Sequence, residues 1–129
     1  MDKAELDARY RAYIACLNRR DWADLGRFVD EYVRHNGRPL GLAGYRAMLE
    51  DDHDRIPDLH YAIDLLVADP PRIAARLRFD VAPRADFLGL PVDGRRISFC
   101  ENVFYAFADD RIREVWSIVD KQAIEDQLR

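Results

Sequence analysis

Hydrophobic residues in the N-terminal part of the chain recur every three or four positions, which is the spacing of an amphipathic helix. The pattern predicts a first helix over residues 3–18, a short second helix that Asp21 caps, and a third helix over 41–55. A short extended segment at 31–35 and a turn at 36–39 are predicted to join the second helix to the third.

After the third helix, hydrophobic residues alternate with polar ones, which is typical of strands with one buried face. The alternation predicts four strands and a closing helical segment. In chain order, these segments are 59–67, 73–81, 95–107, 112–119 and 121–128.

The order of the elements predicts an α+β fold in one domain over residues 1–129, with N-terminal helices packed on a curved antiparallel sheet. Such a sheet would leave a cavity between itself and the helices. The strand at 95–107 is apolar on both faces and therefore needs two dry surfaces. We expect the second surface to be another subunit, which predicts a homodimer.

Composition and charge exclude several classes of function. With a net charge of −4 and no cluster of arginines, the chain is not expected to bind nucleic acid. It has no apolar run long enough to cross a membrane and no secretion signal, so we expect a cytoplasmic protein. The three histidines do not have the spacing of a metal site, and no nucleotide-binding motif is present, so we expect neither a metal nor a cofactor. The run Asp51-Asp52-His53-Asp54 is interpreted as a solvated helix face.

Four motifs resemble the SnoaL-like polyketide cyclases, or ester cyclases, of the nuclear transport factor 2-like superfamily. They are His35-Asn36-Gly37, Ile56-Pro57-Asp58-Leu59, Phe87-Leu88-Gly89-Leu90-Pro91 and the run from Arg111 to Asp120. The resemblance implies a cone-shaped fold. It also implies closure of a ring by an intramolecular aldol step, with one pocket carboxylate as acid and base and with no metal or cofactor.

The same resemblance implies roles for particular residues. Asp120 matches the catalytic aspartate at the end of the last long strand, and Trp116 precedes it on the same strand face. His35 and Asn36 lie in the segment from which the family supplies polar groups to its pocket.

The residues themselves leave alternatives open at the last strand. Alternation puts Asp120 on the same face of the strand as Ile112, Glu114, Trp116 and Ile118. An Asp in an apolar pocket would have a raised pKa and could remove a proton next to a carbonyl. Asp120 could equally cap the closing helix. Glu114 could face the pocket or pair with an arginine at its rim, and Trp116 could be a pocket wall or part of the core.

Further candidates come from the helices and loops. His35 could act as an acid or base or be structural, and Asn36 could bind substrate or serve only the turn. Tyr13 could pack in the core or donate its hydroxyl to an enolate, and Phe87 could cover the pocket mouth or a partner subunit. Glu101 and Asn102 point to opposite sides of their strand, and the sequence does not decide which of them faces the pocket.

The sequence therefore favours a cofactor-independent enzyme that cyclises or isomerises an apolar carbonyl compound, with Asp120 as acid and base. Two alternatives remain open. One is a ligand-binding or dimerisation module without chemistry, which a collapsed pocket would favour. The other is a hydrolase, which a pair of pocket carboxylates near a water site would favour.

Overall fold

Three α-helices, one 3₁₀ helix and five strands build the molecule, and the structure, a computed structural model, describes residues 1–129. In chain order they are α1 (Lys3–Arg19), the 3₁₀ helix (Trp22–Arg27), β1 (Val29–His35), α2 (Gly41–Arg55), β2 (Ala62–Asp69), β3 (Arg72–Val81), β4 (Ile97–Ala108), β5 (Arg111–Val119) and α3 (Lys121–Gln127).

Local chemistry explains where α1 begins and ends. The Asp2 carboxylate accepts a hydrogen bond from the Glu5 backbone N–H at 2.8 Å, which satisfies a donor of the first turn. Arg20 adopts the left-handed conformation, with φ of 57°, and its N–H bonds back to the last turn. The predicted second helix is instead a 3₁₀ helix, and the Asp21 side chain makes no cap.

The five strands form one sheet in the order β1-β5-β4-β3-β2. All neighbouring pairs are antiparallel except β1 and β5, which run parallel. The predicted α+β fold, with N-terminal helices on a curved sheet, is confirmed, although the sheet is mixed rather than purely antiparallel. No helix is long and apolar enough to cross a membrane.

A β-bulge in β2 changes which of its residues face the helices. Ile63 pairs with Leu77 and Leu65 pairs with Arg76, so Asp64 is an extra residue on β2. An extra residue moves every later side chain to the opposite face. Alternation along 59–67 predicts Leu65 and Val67 on the same face as Ile63. This prediction is wrong, since both are exposed and their neighbours Leu66 and Ala68 turn inward.

A second bulge has the same effect in β5. Ala106 pairs with Glu114 and Phe107 pairs with Ile112, which leaves Arg113 as the extra residue. The predicted shared face of Ile112, Glu114, Trp116, Ile118 and Asp120 is consequently wrong. After the bulge, Val115, Ser117 and Val119 face the helices, and Trp116 and Ile118 face outward.

The hydrophobic core lies between α1, α2 and the inner face of the sheet. Tyr10, Leu6 and Cys16 are fully buried on α1, and Ile112 is fully buried on β5. The Tyr10 hydroxyl donates to the Tyr105 hydroxyl at 3.1 Å, which joins the first helix to the middle of β4.

The outer face of the sheet carries exposed hydrophobic side chains. The exposed fractions are 61% for Phe104, 42% for Trp116 and 74% for Ile118. Cross-strand pairing aligns these residues into two rows, one formed by Val67, Ala74, Phe104 and Trp116 and the other by Leu65, Arg76, Asn102 and Ile118. We call this surface the outer rows.

Candidate active site

A cavity of about 540 Å³ lies between the helices and the inner face of the sheet. It is lined by 24 residues, of which 17 are hydrophobic. Its volume falls in the range of pockets that take drug-sized molecules. The apolar lining makes each polar group in it notable, because an unpaired polar group in such a place costs folding free energy.

Glu101 is the first of these polar groups and lies on the inward face of β4, between Phe99 and Val103. The Ser117 hydroxyl, on the neighbouring strand β5, donates a hydrogen bond to Glu101 Oε2. Burial raises the pKa of Glu101, and this hydrogen bond opposes the rise. The structure thereby decides between Glu101 and Asn102, since Asn102 points outward.

Asn36 holds Ser117 in place. Its side-chain Oδ1 accepts from the Ser117 N–H at 2.8 Å, and its Nδ2 donates to the Ser117 carbonyl oxygen at 3.2 Å. Its own N–H donates to the Val115 carbonyl oxygen at 2.8 Å. Asn36 lines the cavity, but its amide is used to fix the residue that orients Glu101.

Asp52 is the second carboxyl group of the cavity and projects from α2. Burial raises its pKa to about 6, and the negative charge of Glu101 contributes to the rise. The Asp52 side chain makes no hydrogen bond or ion pair. Burial and the charge of Glu101 both raise the pKa of Asp52, so the pair favours a state in which Asp52 keeps its proton while Glu101 carries the negative charge.

Four tyrosines bring hydroxyl groups to the cavity wall, namely Tyr13, Tyr45, Tyr61 and Tyr105. The hydroxyls of Tyr13 and Tyr45 are 2.7 Å apart and share one hydrogen bond, which leaves the second proton of the pair free. Burial raises the pKa of all four, so they stay neutral and can donate. The Tyr61 hydroxyl makes no hydrogen bond to protein atoms.

The structure brings together four of the seven residues predicted for the site. Tyr13, His35, Asn36 and Phe87 all line the cavity. Burial and the nearby Arg38 lower the pKa of His35, so its imidazole is neutral at physiological pH. Phe87, from the apolar loop, packs against Phe99 with ring centroids 5.5 Å apart.

The other three predicted residues do not line the cavity. Asp120 is exposed and accepts a hydrogen bond from the Ala123 N–H at 3.2 Å, so it caps α3. Glu114 lies 3.4 Å from Arg34 in an ion pair. Trp116 belongs to the outer rows because the bulge in β5 turns it away from the helices.

Asp52 is absent from the predicted site because the acidic run at 51–54 favours a solvated helix face. That interpretation is wrong for two residues of the run, because Asp52 lines the cavity and His53 is buried beside Trp22. The sequence does contain a signal for the inward position: Asp52 follows Tyr45 by seven positions and Leu49 by three, on the apolar stripe of α2.

The arrangement supports proton transfer. No group of three or more His, Cys, Asp or Glu residues is placed to hold a metal ion. The cavity instead offers two carboxyl groups with raised pKa, a neutral imidazole and neutral tyrosine hydroxyls in apolar surroundings. These groups are suited to take a proton from carbon and to stabilise the resulting enolate.

Comparison with known proteins agrees with this fold. The family model for SnoaL-like polyketide cyclases matches residues 7–128. A SnoaL-like polyketide cyclase from Agrobacterium tumefaciens strain C58 has 52% identity and a TM-score of 0.96, with 100% of both chains covered. TsrD from Streptomyces laurentii has 25% identity and a TM-score of 0.85, covering 99% of this chain and 97% of TsrD. No curated protein matches the chain.

Proposed function

The chain belongs to the SnoaL-like polyketide cyclase family, and from this premise we propose that it is a cofactor-independent enzyme acting on a largely apolar carbonyl compound. The proposed reaction is an acid/base-catalysed intramolecular aldol cyclisation or isomerisation. The observation that carries the proposal is the pair of desolvated carboxyl groups, Glu101 and Asp52, in an apolar cavity of about 540 Å³.

Glu101 is the proposed base. Glu101 lines the cavity and is held by the Ser117 hydroxyl, and its carboxylate removes a proton from the carbon next to a substrate carbonyl. The electron pair of the C–H bond moves into an enolate. In cyclisation, the enolate carbon attacks a second carbonyl carbon of the same molecule, so one C–C bond forms and an alkoxide results.

Asp52 is the proposed acid. It holds its proton up to about pH 6, and it delivers this proton to the alkoxide oxygen. The reaction leaves Glu101 protonated and Asp52 ionised. Loss of the Glu101 proton to solvent and uptake of one by Asp52 after product release restore the starting pair, so no proton is consumed overall. In the Tyr13–Tyr45 pair, the hydroxyl whose proton is free donates a hydrogen bond to the enolate oxygen while that oxygen carries the negative charge.

Proton abstraction can be tested before a substrate is known. β-Tetralone is a flat bicyclic ketone with acidic α-protons, and it is small enough for the cavity. In deuterium oxide we expect the protein to accelerate loss of the α-proton NMR signals well beyond the rate in matched buffer. An unaccelerated exchange across a panel of such ketones would contradict the proposal.

Hydrolysis is the second candidate, because the unpartnered Asp52 carboxylate could activate a water molecule. The open cavity and the outward position of Trp116 give no support to a module with a collapsed pocket. Hydrolysis would add one oxygen atom from ¹⁸O-labelled water to the product. An aldol cyclisation forms a C–C bond and adds no oxygen atom from water. Mass spectrometry of the product distinguishes the two.

We also propose that the outer rows pair with a second copy of this chain. The rows bring exposed hydrophobic side chains together with both signs of charge, since Arg76 within them is paired to Asp64 and Arg34 is paired to Glu114. A surface with apolar rows and balanced charges can complement itself across a two-fold axis.

Sedimentation at micromolar concentration is expected to give twice the 15.1 kDa mass of the chain. Ile118→Asp places a charge in the rows and is expected to shift the protein to the monomer. Ala47→Glu adds a charge on the exposed side of α2 and serves as the control, with the dimer retained. A wild-type protein that sediments as a monomer would contradict this proposal.

A further inference from the structure

Two positively charged side chains line the cavity without any partner. Arg38 belongs to the turn after β1, and Lys121 is the first residue of α3. Neither makes a side-chain hydrogen bond or an ion pair, whereas most of the other arginines make one. Both residues are exposed, so they lie at the mouth of the cavity rather than in its depth.

Arg38 and Lys121 are not among the groups that shift the pKa of the carboxyl groups inside the cavity. The groups that act on the pKa of Asp52 are Glu101, Asp51 and Arg55, and for Glu101 the only polar partner is Ser117. Arg38 instead acts on His35, whose backbone pairs with its own in the turn. The cavity is therefore polarised, with acidic groups inside and basic groups at the entrance.

The chain as a whole is acidic, with a net charge of −4, so the two unpaired cations at the cavity mouth are a local feature and do not reflect an overall positive charge. Leaving them unpaired there favours an anionic ligand group over a neutral one, because charge-assisted hydrogen bonds to such a group are stronger than neutral ones. The guanidinium of Arg38 can bind a carboxylate through two parallel hydrogen bonds, and the Lys121 ammonium adds a point charge.

We propose that Arg38 and Lys121 form an anion subsite, so that the substrate has a flat apolar body and one anionic group, such as a carboxylate, held at the mouth. This inference rests on the proposed function, because it gives the substrate class for the same cavity. It orients the substrate, since an anchored anion leaves the opposite, carbonyl-bearing end to reach Glu101 and Asp52.

Two fluorescent probes with the same aromatic rings, one anionic and one neutral, distinguish binding through charge from binding through shape. Anilinonaphthalene sulfonate carries one anionic group, and phenylnaphthylamine has the same aromatic body without it. We expect the wild-type protein to bind the sulfonate more tightly by fluorescence titration. We expect Arg38→Gln and Lys121→Gln each to weaken sulfonate binding roughly threefold to tenfold, with phenylnaphthylamine binding unchanged.

A control variant tests whether the loss of sulfonate binding is specific to the mouth of the cavity. Arg72→Gln removes an unpaired, exposed cation that does not line the cavity. It is not expected to change the affinity for the sulfonate. All variants change exposed residues, and unchanged thermal melting confirms that they fold.

The outcomes separate the subsite from the function on which it rests. Equal binding of both probes, or equal losses in Arg38→Gln and Arg72→Gln, would overturn the anion subsite while leaving the cavity as a ligand site. Failure of both probes to bind would also overturn it. The β-tetralone exchange tests the proposed catalysis independently, because that ketone carries no charge.

Discussion

Glu101→Gln is expected to slow β-tetralone proton exchange by about 10²–10⁴-fold, which is the usual contribution of a general base. The glutamine has nearly the same shape and its carbonyl oxygen can still accept from Ser117, so the cavity wall is expected to stay intact. The amide, however, cannot take up a proton near neutral pH. The measurement is the exchange rate by NMR at equal protein concentration.

Asp120→Asn is the matched control for this variant. It also replaces a carboxylate by an amide, but at an exposed position that caps α3. Asparagine caps helices about as well as aspartate, so stability and exchange are both expected to stay near the wild-type values. A folded Glu101→Gln protein with the wild-type rate would contradict Glu101 as the base. A loss confined to Asp120→Asn would return the catalytic role to Asp120.

Asp52→Asn is expected to stabilise the protein at neutral and alkaline pH. Its pKa of about 6 in the folded chain lies above that of an unfolded aspartate, so the folded protein binds the proton more tightly. The carboxylate therefore lowers the free energy of unfolding progressively as the pH rises from about 4 to about 6, and this cost persists at higher pH. Removing the charge is expected to raise the free energy of unfolding by roughly 1–3 kcal/mol at about pH 8.

The pH dependence distinguishes this effect from a change in packing. At about pH 4 both proteins are largely neutral at this position, so denaturant unfolding should show little difference between them. Asp54→Asn changes an exposed carboxylate on the same helix and is expected to give the small effect of a surface charge at both pH values. A destabilised Asp52→Asn protein at about pH 8 would contradict the proposed desolvation.

The stabilisation is expected to come with a loss of activity. If Asp52 had no catalytic role, an asparagine at this position would make the protein more stable at no cost to its activity. Sites that must hold charged groups in apolar surroundings commonly show this exchange between stability and activity.

Much of the fold could be predicted from local patterns. The bounds of α2 follow from its helical spacing, and the buried face of β3 follows from strict alternation over Ile73 to Val81. The 3₁₀ helix and the parallel pairing of β1 with β5 could not be predicted in this way, because both depend on how the chain packs rather than on periodicity.

The site was harder to predict because two bulges interrupt the alternation. A single extra residue, Arg113, turns Trp116 outward and brings Ser117 into the cavity, and no residue type marks its position in the sequence. Glu101 was ambiguous because β4 carries hydrophobic residues on both faces. Alternation places Glu101 on the same face as Phe99, but only the packing of the folded chain shows that this face, rather than that of Asn102, is turned toward the helices.

The most direct test of the account is the titration of the Asp52 carboxyl group, followed by ¹³C NMR in the wild-type protein and in Glu101→Gln. The central claim is that Asp52 and Glu101 form a desolvated, interacting pair in the cavity. It predicts a pKa of about 6 for Asp52 in the wild type and a lower pKa once the charge of Glu101 is removed. An Asp52 pKa near the ordinary value of about 4, unchanged in Glu101→Gln, would contradict it.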